Sequence, residues 1–425
     1  MQLKIPYGEG ALRLDVPDRR VKAVLCQNAE GAGSPDEAEI VRGALAEPIG
    51  SPALRELAAG KHSVTILTSD HTRPMPSALT LPLLLEEVRR GAPAAEITIL
   101  VATGLHRATT DEELLARFGK AIFRNEKIVV HNCRDASVLR PAGILPSGGA
   151  LMLSKYALDA DLLIAEGFIE PHFFAGFSGG RKSVMPGVAG YDCVTANHCS
   201  AFIANRHAAA GVLEENPVHI DMAYAAEKAG LAFILNVMLG PERKVTDAVA
   251  GEPTLAHAEG CRRVMERVAM KRETAPIVIA SNGGYPLDQN LYQLVKCMDT
   301  AEKCCGEGGV IIAAGECRDG TGGEAFHDDF AGGESPAALT SRFLARSPAE
   351  TETDQWQSQI LARILEKRSV IVVAPLIEEA VKEMGLGFAA SLEDALFMAD
   401  AMIGNPKGEE AEIVVIPDGP GIVIV

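Results

Sequence analysis

Short, uniformly apolar runs alternate along this chain with longer stretches whose apolar residues recur every three or four positions. HSVTILTSD (62–70), AEITILVATG (95–104), EKIVVHNC (126–133), DLLIAEGF (161–168) and AFILNVML (232–239) are rich in β-branched residues and lack in–out alternation, the pattern of strands covered on both faces. Between them, TLPLLLEEVRRGA, DEELLARFGKAI and HIDMAYAAEKAG carry helical spacing. The charged helix CRRVMERVAMKRETAP runs into a polar stretch near 270–276. The rhythm then restarts with PIVIASNGG (276–284), GGVIIAAGE (308–316), RSVIVVAPL (368–376), DAMIGN (400–405) and AEIVVIPDG (411–419). This alternation predicts an α/β protein of two domains with largely parallel sheets, residues 1–270 and 271–425.

Composition narrows the partners. With 40 Lys+Arg against 57 Asp+Glu, the net charge is −17. No basic block interrupts it, so the positive patch that nucleic acids and anionic membranes require is missing. No apolar run approaches a bilayer span, and MQLKIPYGEGALRL has no signal-peptide core, so the expected location is the cytoplasm. Nine scattered cysteines form no C-x-x-C pair. They suggest reduced thiols, neither a disulfide framework nor a thiolate zinc site.

Ligands of open α/β sheets sit at the carboxyl ends of strands, which makes the polar segments after the apolar runs the first candidates. These are SDHTRP (69–74), ATGLHR (102–107), GFIEPHFFAGFSGGRKSVMPG (167–187) and NGGYPLDQNLYQLVK (282–296). In FSGGRKS, paired glycines precede Arg181 and Lys182, an arrangement that lets backbone amides approach an anion that one of the cations neutralises. The bland reading is a tight turn with two solvated cations. It is no Walker A loop, because Arg stands where that motif needs Gly before the Lys. GAGSPD (31–36) lacks the third glycine of a dinucleotide fingerprint. Three histidines lie near strand ends or Gly-rich turns, namely His106, His172 and His198. Imidazole is both the side chain that moves protons near neutral pH and the commonest metal ligand, yet these spacings match no local zinc signature. The residues by themselves indicate an anion site with histidines.

SDHTRP, ATGLHR, PHFFAGFSGGRKS, NHCS and YQLVK, in this order and at these separations, resemble the nickel-pincer nucleotide-dependent lactate racemase family and its 2-hydroxy acid racemase and epimerase relatives. The resemblance spans nearly the whole chain. It implies two α/β domains with the active site in the cleft between them, the first carrying the cofactor and histidine motifs and the second the substrate-binding residues. Lys182 matches the lysine joined through a thioamide to a pyridinium-derived mononucleotide, and His198 the imidazole that completes nickel coordination. Asp70, His71, Thr72 and Arg73 match the turn that contacts the cofactor, although many relatives carry an aliphatic residue at 71. His106 and His172 match the acid/base pair. Gln293, Lys296 and Tyr292 match substrate-binding positions, with Arg73 a further candidate for the carboxylate, and Trp356 an aromatic lining the same cleft.

The implied activity is interconversion of the C2 stereoisomers of a 2-hydroxy acid, lactate being the family default. The implied partners are that small substrate and the proteins that build the cofactor, without which the chain is expected to be bare. The chemistry suits the residue types: C2–H is a very weak acid, so hydrogen leaves more readily as hydride while a histidine takes the hydroxyl proton. The residues also admit blander roles. Tyr292, Gln293 and Lys296 can be an exposed helix face, Trp356 a core anchor, and Glu166, Glu170, Asp192 and His207 supports for neighbouring groups. A nicotinamide- or zinc-dependent enzyme on the same scaffold, and a non-catalytic relative binding an anionic metabolite, are the alternatives.

Overall fold

The computed structural model describes residues 1–27, 36–240, 243–404 and 410–425. Most of GAGSPD, residues 31–35, lies outside the described residues, as does Asn405 at the end of DAMIGN. Contacts divide the chain into two compact units. One comprises Met1–Asn28, His198–Ala204 and Met265–Val425, the other Ala29–Asn197 and Asn205–Val264.

In the Ala29–Val264 unit, six strands lie in the order Val245–Gly251, Leu231–Leu239, Leu162–Phe168, Ser63–Ser69, Glu96–Ala102 and Lys127–Val130. The last five run parallel, and the Val245–Gly251 edge is antiparallel. Helices Ser77–Gly91 and Asp111–Asn125 pack Leu81, Leu84, Leu114 and Phe118 against Ile66, Ile99 and Ile164. The central strand interiors are buried on both faces, as expected of apolar runs without alternation. Chain order reverses between Ser63–Ser69 and Leu162–Phe168. That is the switch point at which open sheets bind ligands, and SDHTRP and GFIEPH both leave from it.

The other unit holds a fully parallel six-stranded sheet: Gly387–Ala389, Ser369–Val373, Cys305–Ala314, Ala275–Ser281, Ile413–Ile416 and Val21–Val24. Its core is Ile277, Ile279, Ile312, Ile371 and Val415, with Leu3, Ile5 and Leu14 from the N-terminal hairpin.

Two expectations need correction. A continuous 1–270 domain is not what the contacts show. The first residues join the unit that ends the chain, because Val21–Val24 pairs with Ile413–Ile416 and buried Arg20 reaches Asp400 and the carbonyl of Ala411. VKAV alternates with solvent and is too short to stand out as a sheet strand. Nor is DAMIGN a strand: Asp400–Met402 end the Leu392–Met402 helix. Ser391 caps that helix by accepting from Asp394 N, and Leu392, Ala395, Leu396 and Ala399 form its buried stripe at helical spacing.

Candidate functional site

Asp70 follows the Ser63–Ser69 strand and is 1% exposed. Its Oδ1 accepts from the backbone N–H of Thr72 at 3.0 Å and from the Thr72 hydroxyl at 2.6 Å, an aspartate closing its own turn. Its Oδ2 lies 2.6 Å from His106 Nδ1. Burial pushes the Asp70 carboxyl up, but the hydrogen bond and charge of His106, the charge of Arg73 and the Thr72 hydroxyl outweigh it, holding the group well below the usual carboxylate range. An ionised Asp70 only accepts, so the neutral His106 ring keeps its proton on Nδ1 and presents a lone pair at Nε2. SDHTRP and ATGLHR thereby meet in one pair, an imidazole and the carboxylate that orients it.

His71 turns to the loop before the Asp111–Asn125 helix, with Nδ1 3.1 Å from Thr109 Oγ1 and 3.8 Å from Glu113 Oε2. Burial lowers its affinity for a proton, partly offset by Asp70 and Glu113. The Arg73 carbonyl accepts from Arg117 Nη1 at 2.8 Å. Beneath the turn, Glu166 is fully buried and takes the hydroxyls of Thr68 at 2.6 Å and Thr80 at 2.5 Å. Burial raises its carboxyl against those bonds. It ties the two switch-point strands and the Ser77–Gly91 helix together.

His172 sits on a two-residue strand paired antiparallel with Gly176–Phe177, its ring packed against Phe173 and Phe174 with centroids 5.1 and 4.6 Å away. The N–H of Ala175 is donated to His172 Nδ1 at 3.3 Å, which leaves the proton of the neutral ring on Nε2. The hydrogen bonds at the two Nδ1 atoms thus favour opposite tautomers for His106 and His172.

The FSGGRKS loop is built differently from the sequence expectation. Gly179 and Gly180 have φ of +76° and +52°, and a Cβ on Gly180 would come within 2.8 Å of His257. The N–H of Gly180 is donated to Asn236 Oδ1 at 2.8 Å, turned inward and not toward an anion. Arg181 is not a solvated cation either. It is buried, giving Nε–H to His219 Nδ1 at 3.0 Å and Nη2–H to Ala175 O at 2.8 Å, with Nη1 3.3 Å from Gly179 O and 3.0 Å from His257 Nε2. Half-buried Lys182 follows in the Gly180–Ser183 turn. Arg181 therefore fastens the His172 hairpin to the Lys182 turn.

Burial, with Arg181 beside it, pushes His219 down to about 4 and His257 well below its ordinary range. Both are neutral in the fold, whereas the unfolded chain protonates them near pH 6.5. Between those values the unfolded state binds more protons, so their contribution to stability is complete above about pH 6.5 and is lost as pH falls toward 4. Buried His131 acts in the same direction. Melting temperature should fall across that window, and His257→Gln should flatten the slope; equal slopes in both proteins would refute this assignment.

In the other unit, the Leu291–Cys304 helix begins under an Asn290 cap that accepts from Gln293 N at 2.9 Å. Tyr292, Gln293 and Lys296 are half-buried, so the exposed-face reading fails. Trp356 is 7% exposed and donates Nε1–H to the Tyr292 hydroxyl at 3.0 Å, and its ring meets that of buried His198 edge-on at 4.9 Å. It is no purely apolar anchor. Of the supporting candidates, His207 pairs with Glu215 at 3.0 Å and Arg206 at 2.8 Å. Glu170 braces Ser178 through its backbone, with Glu170 N donating to Ser178 Oγ at 2.9 Å, and Asp192 opens the Tyr191–Asn197 helix.

The family model of the lactate racemase N-terminal domain matches residues 7–211, and that of the lactate racemase C-terminal domain residues 270–424. The chain belongs to the lactate racemase family. It is 49% identical over 424 residues to the lactate racemase of Thermoanaerobacterium thermosaccharolyticum and 44% identical over 424 residues to that of Lactiplantibacillus plantarum, covering 99% of each relative and of itself. The structure of the Thermoanaerobacterium lactate racemase apoprotein superposes with a TM-score of 0.96 at 48% identity, covering 100% of both chains. A Thermotoga maritima protein shares the fold at TM-score 0.65 and 19% identity, over 91% of this chain and 98% of that one.

Sequence reasoning assigned Asp70 to the lactate racemase cofactor turn and missed it as the partner of His106. It also missed Arg181 as an internal clamp, and Ser200 with Gln355, Gln357 and Gln359 around His198 and Tyr292. The run QWQSQ, polar at every position but one in an otherwise apolar helix and buried throughout, was the available signal.

Proposed function

We propose that this chain interconverts the two enantiomers of lactate, and that the ionised Asp70 holding Nδ1 of His106 at 2.6 Å is the feature of the fold that carries the proton chemistry. His106 Nε2 takes the hydroxyl proton of one enantiomer, and the Nε2–H of His172 steadies the oxygen as it becomes a carbonyl. Lys296 and Gln293, with Arg73 as a further cation, hold the carboxylate and keep the keto acid in the site while it turns. Tyr292 and Trp356, linked by their hydrogen bond, wall the substrate. The keto acid formed on loss of C2 hydrogen is planar at C2, so its reduction from the opposite face inverts the centre.

The residues fit a carrier-borne metal. Among the described residues no group of three or more His, Cys, Asp or Glu side chains could hold a metal ion. A metal met by the His198 imidazole would then draw its other ligands from a bound molecule. The group we assign is the nickel-pincer nucleotide, joined to Lys182 and met by His198. When bound, it supplies a reversible acceptor for the C2 hydrogen. Among the described residues no helix is long and apolar enough to cross a membrane.

The test compares protein produced with and without the cofactor-building machinery. Co-produced protein should gain one nucleotide-sized mass and nickel and should racemise L-lactate. Protein made alone should show the bare mass and no activity. Full activity in the unmodified chain would overturn the assignment.

A further inference from the structure

We infer that Gln355 and Gln359 are positioning residues for His198, acting through Ser200; the inference rests on the reading of His198 as the metal-meeting imidazole. The segment His198–Ala204 leaves the unit of its sequence neighbours on both sides and packs with the unit that ends the chain. Such a departure needs a specific anchor. Gln355 donates Nε2–H to the Ser200 hydroxyl at 2.6 Å, and Gln359, one helical turn on, donates Nε2–H to the Ser200 carbonyl at 3.0 Å. Ser200 is held by side chain and backbone together, two residues after His198. Trp356, on the same helix, lays its ring against the imidazole at 4.9 Å.

The orientation of Gln355 is set in turn. Its Oε1 accepts from Arg346 Nη1 at 2.5 Å and from Glu352 N at 3.4 Å, which leaves only Nε2 to face Ser200. Helix stability does not call for this arrangement. Gln355, Gln357, Ser358 and Gln359 are all buried, and Ser358 Oγ and Gln359 Oε1 are buried with no hydrogen-bond partner. An apolar face would spare that desolvation cost, about 1–3 kcal/mol for each unsatisfied group. What the glutamines supply and leucines cannot is a directional grip on Ser200. A metal ligand whose ring is fixed from outside binds more tightly than one free to turn; partners bonded directly to a ligand are typically worth about 10–100-fold in metal binding, and a grip one step removed, on Ser200, acts toward the lower end of that range.

The test uses cofactor-loaded protein carrying Gln355→Met with Gln359→Met and, as a gentler variant that leaves the helix intact, Ser200→Ala. Intact mass reads the Lys182 adduct, elemental analysis after dialysis against EDTA reads nickel, and the emission of Trp356, the chain's single tryptophan, reads the ring contact in the apoprotein. Both variants should keep the adduct, lose nickel at least about tenfold faster than wild type, and show a shifted Trp356 emission. Ser200→Ala, which retains the Gln359 bond, should show the smaller change. Adduct present with wild-type nickel retention in both variants would overturn the inference and leave the assigned function standing. Wild-type protein that gains neither adduct nor nickel would overturn the assigned function, and the inference with it.

Discussion

Lys182→Ala is expected to end lactate racemisation, leaving only background, while the protein folds as before. Lys182 is half-buried in a turn whose shape other groups maintain: Arg181 holds the carbonyls of Ala175 and Gly179, and Asn236 holds the amide of Gly180. Removing its amine takes away the proposed point of attachment without disturbing those bonds. A cooperative melting transition should confirm that the variant still folds. Intact mass after co-production with the maturation proteins should equal the bare chain. Lys182→Arg should fail equally, because a guanidinium keeps the charge but cannot form the thioamide. An adduct on either variant would place the attachment elsewhere.

The sequence was legible where local pattern alone decides the structure and not where a partner far along the chain does. The parallel sheets were readable because strands buried on both faces, such as VTILT and VIIAA, have no charged positions and no in–out alternation to confuse their period. Candidate chemistry was readable where a strand ended in a polar turn, as at Asp70 and His172. Partners supplied from far along the chain were not. Nothing in SDHTRP shows that Asp70 meets His106, a contact made only when the Ser63–Ser69 and Glu96–Ala102 strands lie side by side in register, Ser69 opposite Ala102. VKAV gave no sign of pairing with Ile413–Ile416, since a short edge strand half open to solvent looks like any loop. Arg181 was misread because a cation after two glycines suggests an exposed anion site, and only the packing of His219 and His257 turns it inward. DAMIGN was misread because its apolar residues are too few to separate the last turn of a helix from a strand.

The second large effect is expected at the Asp70–His106 pair. His106→Ala should lower kcat by at least the roughly 10²-fold typical of a positioned acid/base group, with the Lys182 adduct retained. Asp70→Asn is the sharper test. It preserves size and the Thr72 turn but replaces an ionised acceptor with an amide that can also donate, so the proton of His106 is no longer confined to Nδ1. A fall in kcat on the order of 10²–10⁴ should follow, with KM changed far less, because the carboxylate acts on the base and not on the substrate. His172→Ala should lower kcat by at least about 10²-fold as well. A doubly substituted His106→Ala, His172→Ala protein that still turned over near the wild-type rate would remove both histidines from the mechanism.

Where the histidines work is the centre of the account. In the proposed function Asp70 prepares His106 to take a proton from oxygen, and no protein base takes one from C2. L-lactate deuterated at C2, given to the cofactor-loaded enzyme, should react more slowly than the unlabelled compound and yield D-lactate that keeps most of its deuterium. Unlabelled lactate racemised in D₂O should gain almost none at C2. Rapid wash-in of solvent deuterium at C2 would contradict the account and move His106 and His172 from the hydroxyl oxygen to the carbon.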